Sequence, residues 1–222
     1  MKVPLFDFQQ DALDKLHTRL AQARAFASIK NPQAISFSAP TGSGKTIVMT
    51  ALFEDIFFGE PGFESQPDAA ILWISDMPEL NEQTRLKIES KSDHIRVRQL
   101  VTIDSTFDTE RLPGGHIYFI NTQKLGTDKR LTRRGDTRRY TLWETLTNTA
   151  QALPDRFYVV IDEAHHSFRG QSKAYDFFRT VVDPDLTLCI TATPRDEDIE
   201  DFKKGVHLGN LRRIKVRRQE GV

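Results

Sequence analysis

Two short segments of this 222-residue chain hold residue types whose spacing can do chemistry. The first is Ala39-Pro-Thr-Gly-Ser-Gly-Lys-Thr46. Glycines at 42 and 44 permit a tight turn whose backbone N–H groups face inward around an anion. Thr41, Gly42, Ser43 and Gly44 would form the cradle, Lys45 would reach the outer phosphates of a nucleotide, and the Thr46 hydroxyl would ligate Mg²⁺. The general phosphate-loop pattern begins on glycine and this one begins on Ala39, so the strict form is not met. The second segment is Val159-Val-Ile-Asp-Glu-Ala-His165. Asp162, at the end of an apolar run, can hold magnesium through water, and Glu163 can orient and deprotonate an attacking water.

Such groups work only if rigid elements bring them together. Short apolar runs alternate with helical patterns along the chain, which predicts an α/β fold with a mostly parallel central sheet and helices on both faces. Strands are expected at Ile35–Ala39, Ala70–Ser75, Ile95–Val101, Ile117–Asn121, Phe157–Asp162 and Leu186–Thr191. Several, such as Phe157-Tyr-Val-Val-Ile161, are apolar on both faces. Phe8, Ala12, Leu13, Leu16, Leu20 and Ala23 recur at helical spacing, with Asp7 and Gln10 as a capping pair. Ile47, Val48, Ala51, Leu52 and Ile56 predict one apolar face on a helix starting near Gly44. A strand, a glycine loop and a helix in that order make a chance glycine turn a poor account of residues 39–46. Lys45 and Asp162 are expected at neighbouring strand ends.

Taken together, these motifs resemble the first RecA-like domain of superfamily-two helicases and translocases. Asp162-Glu-Ala-His165 looks like the DEAH box, and alanine at 39 is common in that superfamily. Thr191-Ala-Thr-Pro194 resembles its third motif, and Trp73-Ile-Ser-Asp with Gln83-Thr84 stands where motif Ia is expected. Ile120-Asn-Thr-Gln-Lys-Leu125 resembles motif Ib, especially in the type III restriction-subunit branch. The resemblance runs from about residue 5 to residue 195. It implies that ATP with Mg²⁺ is bound and hydrolysed, with Lys45, Asp162, Glu163 and His165 catalytic and Thr46 and Asp162 on the metal. It also implies that Gln9 reads the adenine edge, and that Thr191 and Thr193 couple the γ-phosphate to a nucleic-acid surface. DNA is the expected track, with RNA left open, and nuclease or methyltransferase subunits are expected partners by analogy. A nucleotide-dependent switch without motor activity is the alternative. A P-loop kinase or GTPase fits poorly, because no guanine-reading Asn-Lys-X-Asp sequence occurs and Thr191-Ala-Thr193 has no role in those families.

Residues 1–195 are expected to form this domain, with a basic insertion at about 126–140. Residues 196–222 would lead towards a second RecA-like domain, which in the family supplies an arginine to the γ-phosphate. Such an arginine is worth on the order of 10³–10⁵ in rate, so the chain alone is expected to hydrolyse ATP slowly.

The formal net charge is zero, so any nucleic-acid surface must be local. Lys124, Arg130, Arg133 and Arg134 are the candidates, within a run that also holds Lys129, Arg138 and Arg139; a solvated loop is the plainer reading. The cluster Arg212, Arg213, Lys215, Arg217 and Arg218 reads as a linker edge. Residues 104–115, ending Pro-Gly-Gly, read as a loop. Cys189, the single cysteine, reads as a core thiol of a protein from a reducing compartment, which fits a cytoplasmic location. With one cysteine, and with His165 and His166 adjacent in the chain, a zinc site is not expected. No apolar stretch approaches the roughly 20 residues needed to cross a bilayer, so no membrane partner is expected.

Overall fold

The structure, a computed structural model, describes residues 1–27, 33–125, 131, 138–162, 186–191 and 210–215. Its elements follow in the order α1 (Asp7–Ala27), β1 (Gln33–Ser38), α2 (Lys45–Phe58), β2 (Ala70–Ser75), α3 (Pro78–Lys91), β3 (Leu100–Thr102), β4 (His116–Asn121), α4 (Leu142–Ala152), β5 (Phe157–Asp162), β6 (Leu186–Thr191) and β7 (Asn210–Lys215).

Among the described residues the strands form one seven-stranded sheet, in the order β3-β4-β2-β5-β6-β1-β7. Every pairing is parallel. All carboxyl ends therefore lie along one edge, where ligands bind in open α/β sheets.

Alternation along the strands divides the core between the two faces. Ile71, Trp73, Ile117, Phe119, Tyr158 and Val160 meet α1, α2 and α3 on one side. Leu72, Ile74, Tyr118, Ile120, Val159 and Ile161 pack against Leu142 and Leu146 of α4 on the other. The expected helix-covered sheet is what forms.

Helix α2 differs from the expectation of a single apolar face. Val48, Met49, Ala51, Leu52, Phe53, Ile56 and Phe57 are all buried. The helix lies between the sheet, α1 and α3, so nearly every side is covered. Its one buried carboxylate, Glu54, is fully engaged: it accepts hydrogen bonds from Ser92 Oγ (2.5 Å), Asp93 N (2.6 Å), His94 N (3.0 Å) and the Met1 ammonium (2.7 Å). Burial alone would raise its pKa. The donors outweigh it and hold the carboxyl below the usual range.

The start of α1 also departs from expectation. The helix begins at Asp7, and Gln9 Oε1 accepts from Phe6 N at 3.0 Å. Gln10 turns instead to Asp14, 2.9 Å away. His17 Nε2 meets Asp55 Oδ2 at 2.9 Å and ties α1 to α2.

Residues 95–101 are not one strand. Arg96 N donates to Gln99 Oε1 at 2.9 Å, and a 3-10 turn at Val97–Gln99 precedes the short β3. That polar cap, with Arg98 exposed beside it, overrides β propensity. The cluster expected to be a linker edge contributes a strand instead: Arg212, Arg213 and Lys215 lie in β7, parallel to β1. Residues 104–115 hold no helix or strand, as expected of a loop. Helix α4, which opens with a Thr141–Glu144 capping box, was not anticipated.

Candidate functional site

The phosphate loop leaves β1 at Ser38 and enters α2 at Lys45. Gly42 and Gly44 both have φ of 82°, a conformation that disfavours any other residue. Gly44 is the N-cap of α2 and offers no side-chain cap. The first N–H groups of a helix have no partner inside it, so this end is open to an anion and carries the positive end of the helix dipole. Ser43 Oγ is buried without a hydrogen-bond partner, which marks a polar atom placed for something beyond the polypeptide.

Lys45 is folded back, its ammonium donating to Ala39 O at 3.0 Å and Pro40 O at 3.5 Å. Gln9 closes the loop from α1, with Nε2 donating to Ser43 O at 3.0 Å. The void between Gln9, Phe37, Ser43 and Lys45 is too small to hold a water molecule. Thr41 and Gly42 are exposed, and Thr46 is half-buried.

Asp162 ends β5, half-buried. It is not beside the phosphate-loop strand. β6 lies between them, with Ser38 in register with Thr191 on one side and Ile190 with Asp162 on the other. This corrects the expectation of neighbouring strand ends. Two strand spacings put β1 and β5 roughly 9.6 Å apart, on the same edge. A hydroxyl from Thr46 and a carboxylate from Asp162 are hard oxygen donors of the kind magnesium takes. The donor set fits the metal. Glu163, His165 and Thr193 lie outside the described residues, as does the side chain of Thr191.

Of the four candidates for nucleic acid, Lys124 is among the described residues. Lys124 donates to Ile103 O at 2.8 Å, half-buried in a loop 3-10 turn after β4. Arg138 binds the carbonyls of Ser105 and Phe107, and Asp108 accepts from the Arg139 and Tyr140 amides at 3.0 and 2.9 Å. The described end of the basic run thus fastens the 104–115 loop. Arg130, Arg133 and Arg134 lie outside the described residues, as do Lys129, Arg217, Arg218 and the side chain of Cys189.

One contact was not anticipated. Thr122 Oγ1 donates to Asp76 Oδ1 at 3.2 Å, joining the loops after β4 and β2. Both residues directly follow strands that pair with each other, Ser75 being in register with Asn121, and that was the signal available. Among the described residues no cluster of His, Cys, Asp and Glu could hold a metal by itself. None of the described helices is long and apolar enough to cross a membrane.

The family model described as type III restriction enzyme, res subunit, matches residues 2–196. Among solved structures, the chain is similar to a Sulfolobus solfataricus SWI2/SNF2 ATPase core in complex with double-stranded DNA. The TM-score is 0.55 at 16% identity, over 94% of this chain and 37% of that one. It is also similar to the Pyrococcus furiosus Hef helicase domain, with a TM-score of 0.50 at 15% identity, over 91% of this chain and 38% of that one. At such identities the likeness shows the fold, that of a RecA-like helicase domain. The chain spans well under half the length of either neighbour. No curated protein matches it by sequence.

Proposed function

The chain belongs to the family of type III restriction enzyme res subunits, and from that premise we propose that it is the ATP-binding motor domain of a restriction-enzyme-like DNA helicase or translocase. One observation carries the reading. An uncapped, doubly glycine-turned helix start and the acid of β5 share one sheet edge, with only β6 between them.

In this reading ATP binds at residues 41–46. The backbone N–H groups of the loop and the start of α2 hold the β- and γ-phosphates, and Lys45 exchanges its two carbonyl partners for phosphate oxygens. Thr46 and Asp162 would hold Mg²⁺, which when bound neutralises charge developing on the transferred phosphoryl group. Glu163 takes the proton of the attacking water, and His165, Thr191 and Thr193 report the γ-phosphate to the nucleic-acid side. A second RecA-like domain supplies the arginine that completes the site, so this chain alone turns over slowly. Nuclease or methyltransferase subunits would act on the DNA that the motor delivers. Phosphate contacts suffice for tracking, since they carry no sequence information.

The test is Lys45→Ala in a titration of MgATP. Loss of charge-assisted bonds to phosphate is expected to weaken binding roughly 10- to 150-fold. Unchanged affinity would place the nucleotide elsewhere.

A further inference from the structure

We infer that the turn at Val97–Gln99 and the end of α2 form a protein-docking surface, whose partner presents carboxylates on either side of an apolar side chain. The turn runs directly into β3, and α2, which starts beyond the carboxyl end of β1, closes at Phe58. Both therefore lie at the amino ends of the parallel strands, the opposite edge from the phosphate loop. Phe58 is 50% exposed and Val97 55%. The Phe58 ring is 5.4 Å from that of His94, an exposed residue three positions before Val97. A lone apolar residue is ordinary on a surface. These are set on a backbone that is held in place.

Almost every amide from Ser92 to Gln99 has a partner. Asp93 N and His94 N donate to Glu54, and Ile95 N donates to Ser92 Oγ at 2.8 Å. Arg96 N donates to Gln99 Oε1 at 2.9 Å, and Gln99 N returns to Arg96 O at 2.8 Å. Gln99 Nε2 then donates to Gly115 O at 2.9 Å, which ties the turn to the approach to β4. A backbone so held loses little freedom on binding, and that loss is a main cost of association. Charge selects the partner. Arg96 and Arg98 flank Val97, and both are exposed. Among the described residues neither forms an ion pair, whereas the segment's own carboxylate, Asp93, faces the Met1 ammonium at 3.1 Å. Two free guanidiniums beside apolar groups complement carboxylates beside an apolar group, and arginine and aromatic residues are the types that protein interfaces concentrate. A nucleic-acid backbone would also suit the guanidiniums, but it would set phosphates against Phe58 and Val97.

The test selects a displayed library of random peptides against the full chain. Enriched sequences are expected to carry Asp or Glu on both sides of Leu, Phe or Trp. A synthetic peptide of that sequence is expected to bind Val97→Asp, and separately the double variant Arg96→Glu/Arg98→Glu, at least about 10-fold more weakly than wild type. All three positions are exposed, so the variants are expected to keep the wild-type Tm. Exchanging the peptide's acids for lysine should restore binding to the double variant and abolish it for wild type, an outcome that a merely structural role would not give. Gln99→Ala removes no contact side chain, yet is expected to weaken the peptide roughly 2- to 12-fold by loosening the turn. Enriched sequences without acids, no enrichment at all, or binding that Val97→Asp and the double variant leave intact would each overturn the proposal. So would displacement of the peptide by double-stranded DNA, which would give this face to nucleic acid.

Discussion

Gly44→Ala is expected to destabilise the chain through two separable effects, and a second substitution can remove one of them. Gly44 sits at φ of 82°, where an alanine costs roughly 1–2 kcal/mol. Its new Cβ would also stand 2.4 Å from Gln9 Nε2, so the end of that side chain must shift. Gln9 must turn away, and its bond to Ser43 O goes with it, at about 1 kcal/mol. The sum is about 2–3 kcal/mol, and for a domain of this size each kcal/mol lowers Tm by about 2–4 °C. In a Gln9→Ala background there is nothing to displace, so the same Gly44→Ala change is expected to cost only the backbone part. Urea unfolding of wild type, both single variants and the double variant gives the coupling directly. It should be about 1 kcal/mol, clear of the roughly 0.3–0.5 kcal/mol scatter of independent sites. Two penalties that add within that scatter would refute the contact between Gly44 and Gln9.

Glu54→Gln is expected to cost about 3 kcal/mol at neutral pH, since the amide cannot accept from all the donors around Glu54. The folded carboxyl titrates below its usual 4.5, so the gap to wild type is full above that pH and closes as pH falls through the folded value, as urea unfolding across pH will show. At Gly114, an added Cβ would meet the backbone carbonyl of Asp68 at 2.1 Å. A rigid partner must then move, and Gly114→Ala is expected to lower stability by roughly 1–3 kcal/mol in thermal unfolding, whereas an unshifted Tm would contradict the close approach.

What could be read from the chain alone depended on how local the cause was. β2, β5 and β6 were legible to the residue because each is a dense apolar run that ends in a polar residue, Ser75, Asp162 or Thr191. Residues 39–46 were legible because their glycines serve a backbone requirement that hardly any other residue meets. The cap of α1 was misassigned by one position because Asp7 looks like a cap, while the side chain that reaches back is Gln9, whose second partner, Ser43, is far along the chain. Glu54 was invisible for the same reason: three of its donors are residues 92–94, and no helical pattern announces them. β7 was hidden by composition, since Asn-Leu-Arg-Arg-Ile-Lys reads as a charged linker until an edge beside β1 is available to it.

The placement of β6 between β1 and β5 bears on how such a site could work. In a parallel sheet the strands are held in register by hydrogen bonds along their whole length, so the ends of β1, β6 and β5 move as a unit. Ser38 and Asp162 cannot approach each other without breaking that ladder. Adjustment to a phosphate must therefore come from groups that hang beyond the strands: the loop at 39–44 and the first turn of α2. That is where the structure leaves freedom, with Lys45 held only by two carbonyls and Ser43 Oγ by none. Farther along the same edge, β4 lies four strands from β1, roughly 19 Å, and its loop is tied to that of β2 through Thr122 and Asp76. Between the phosphate loop and those loops the strand order places the ends of β6 and β5, at Thr191 and Asp162.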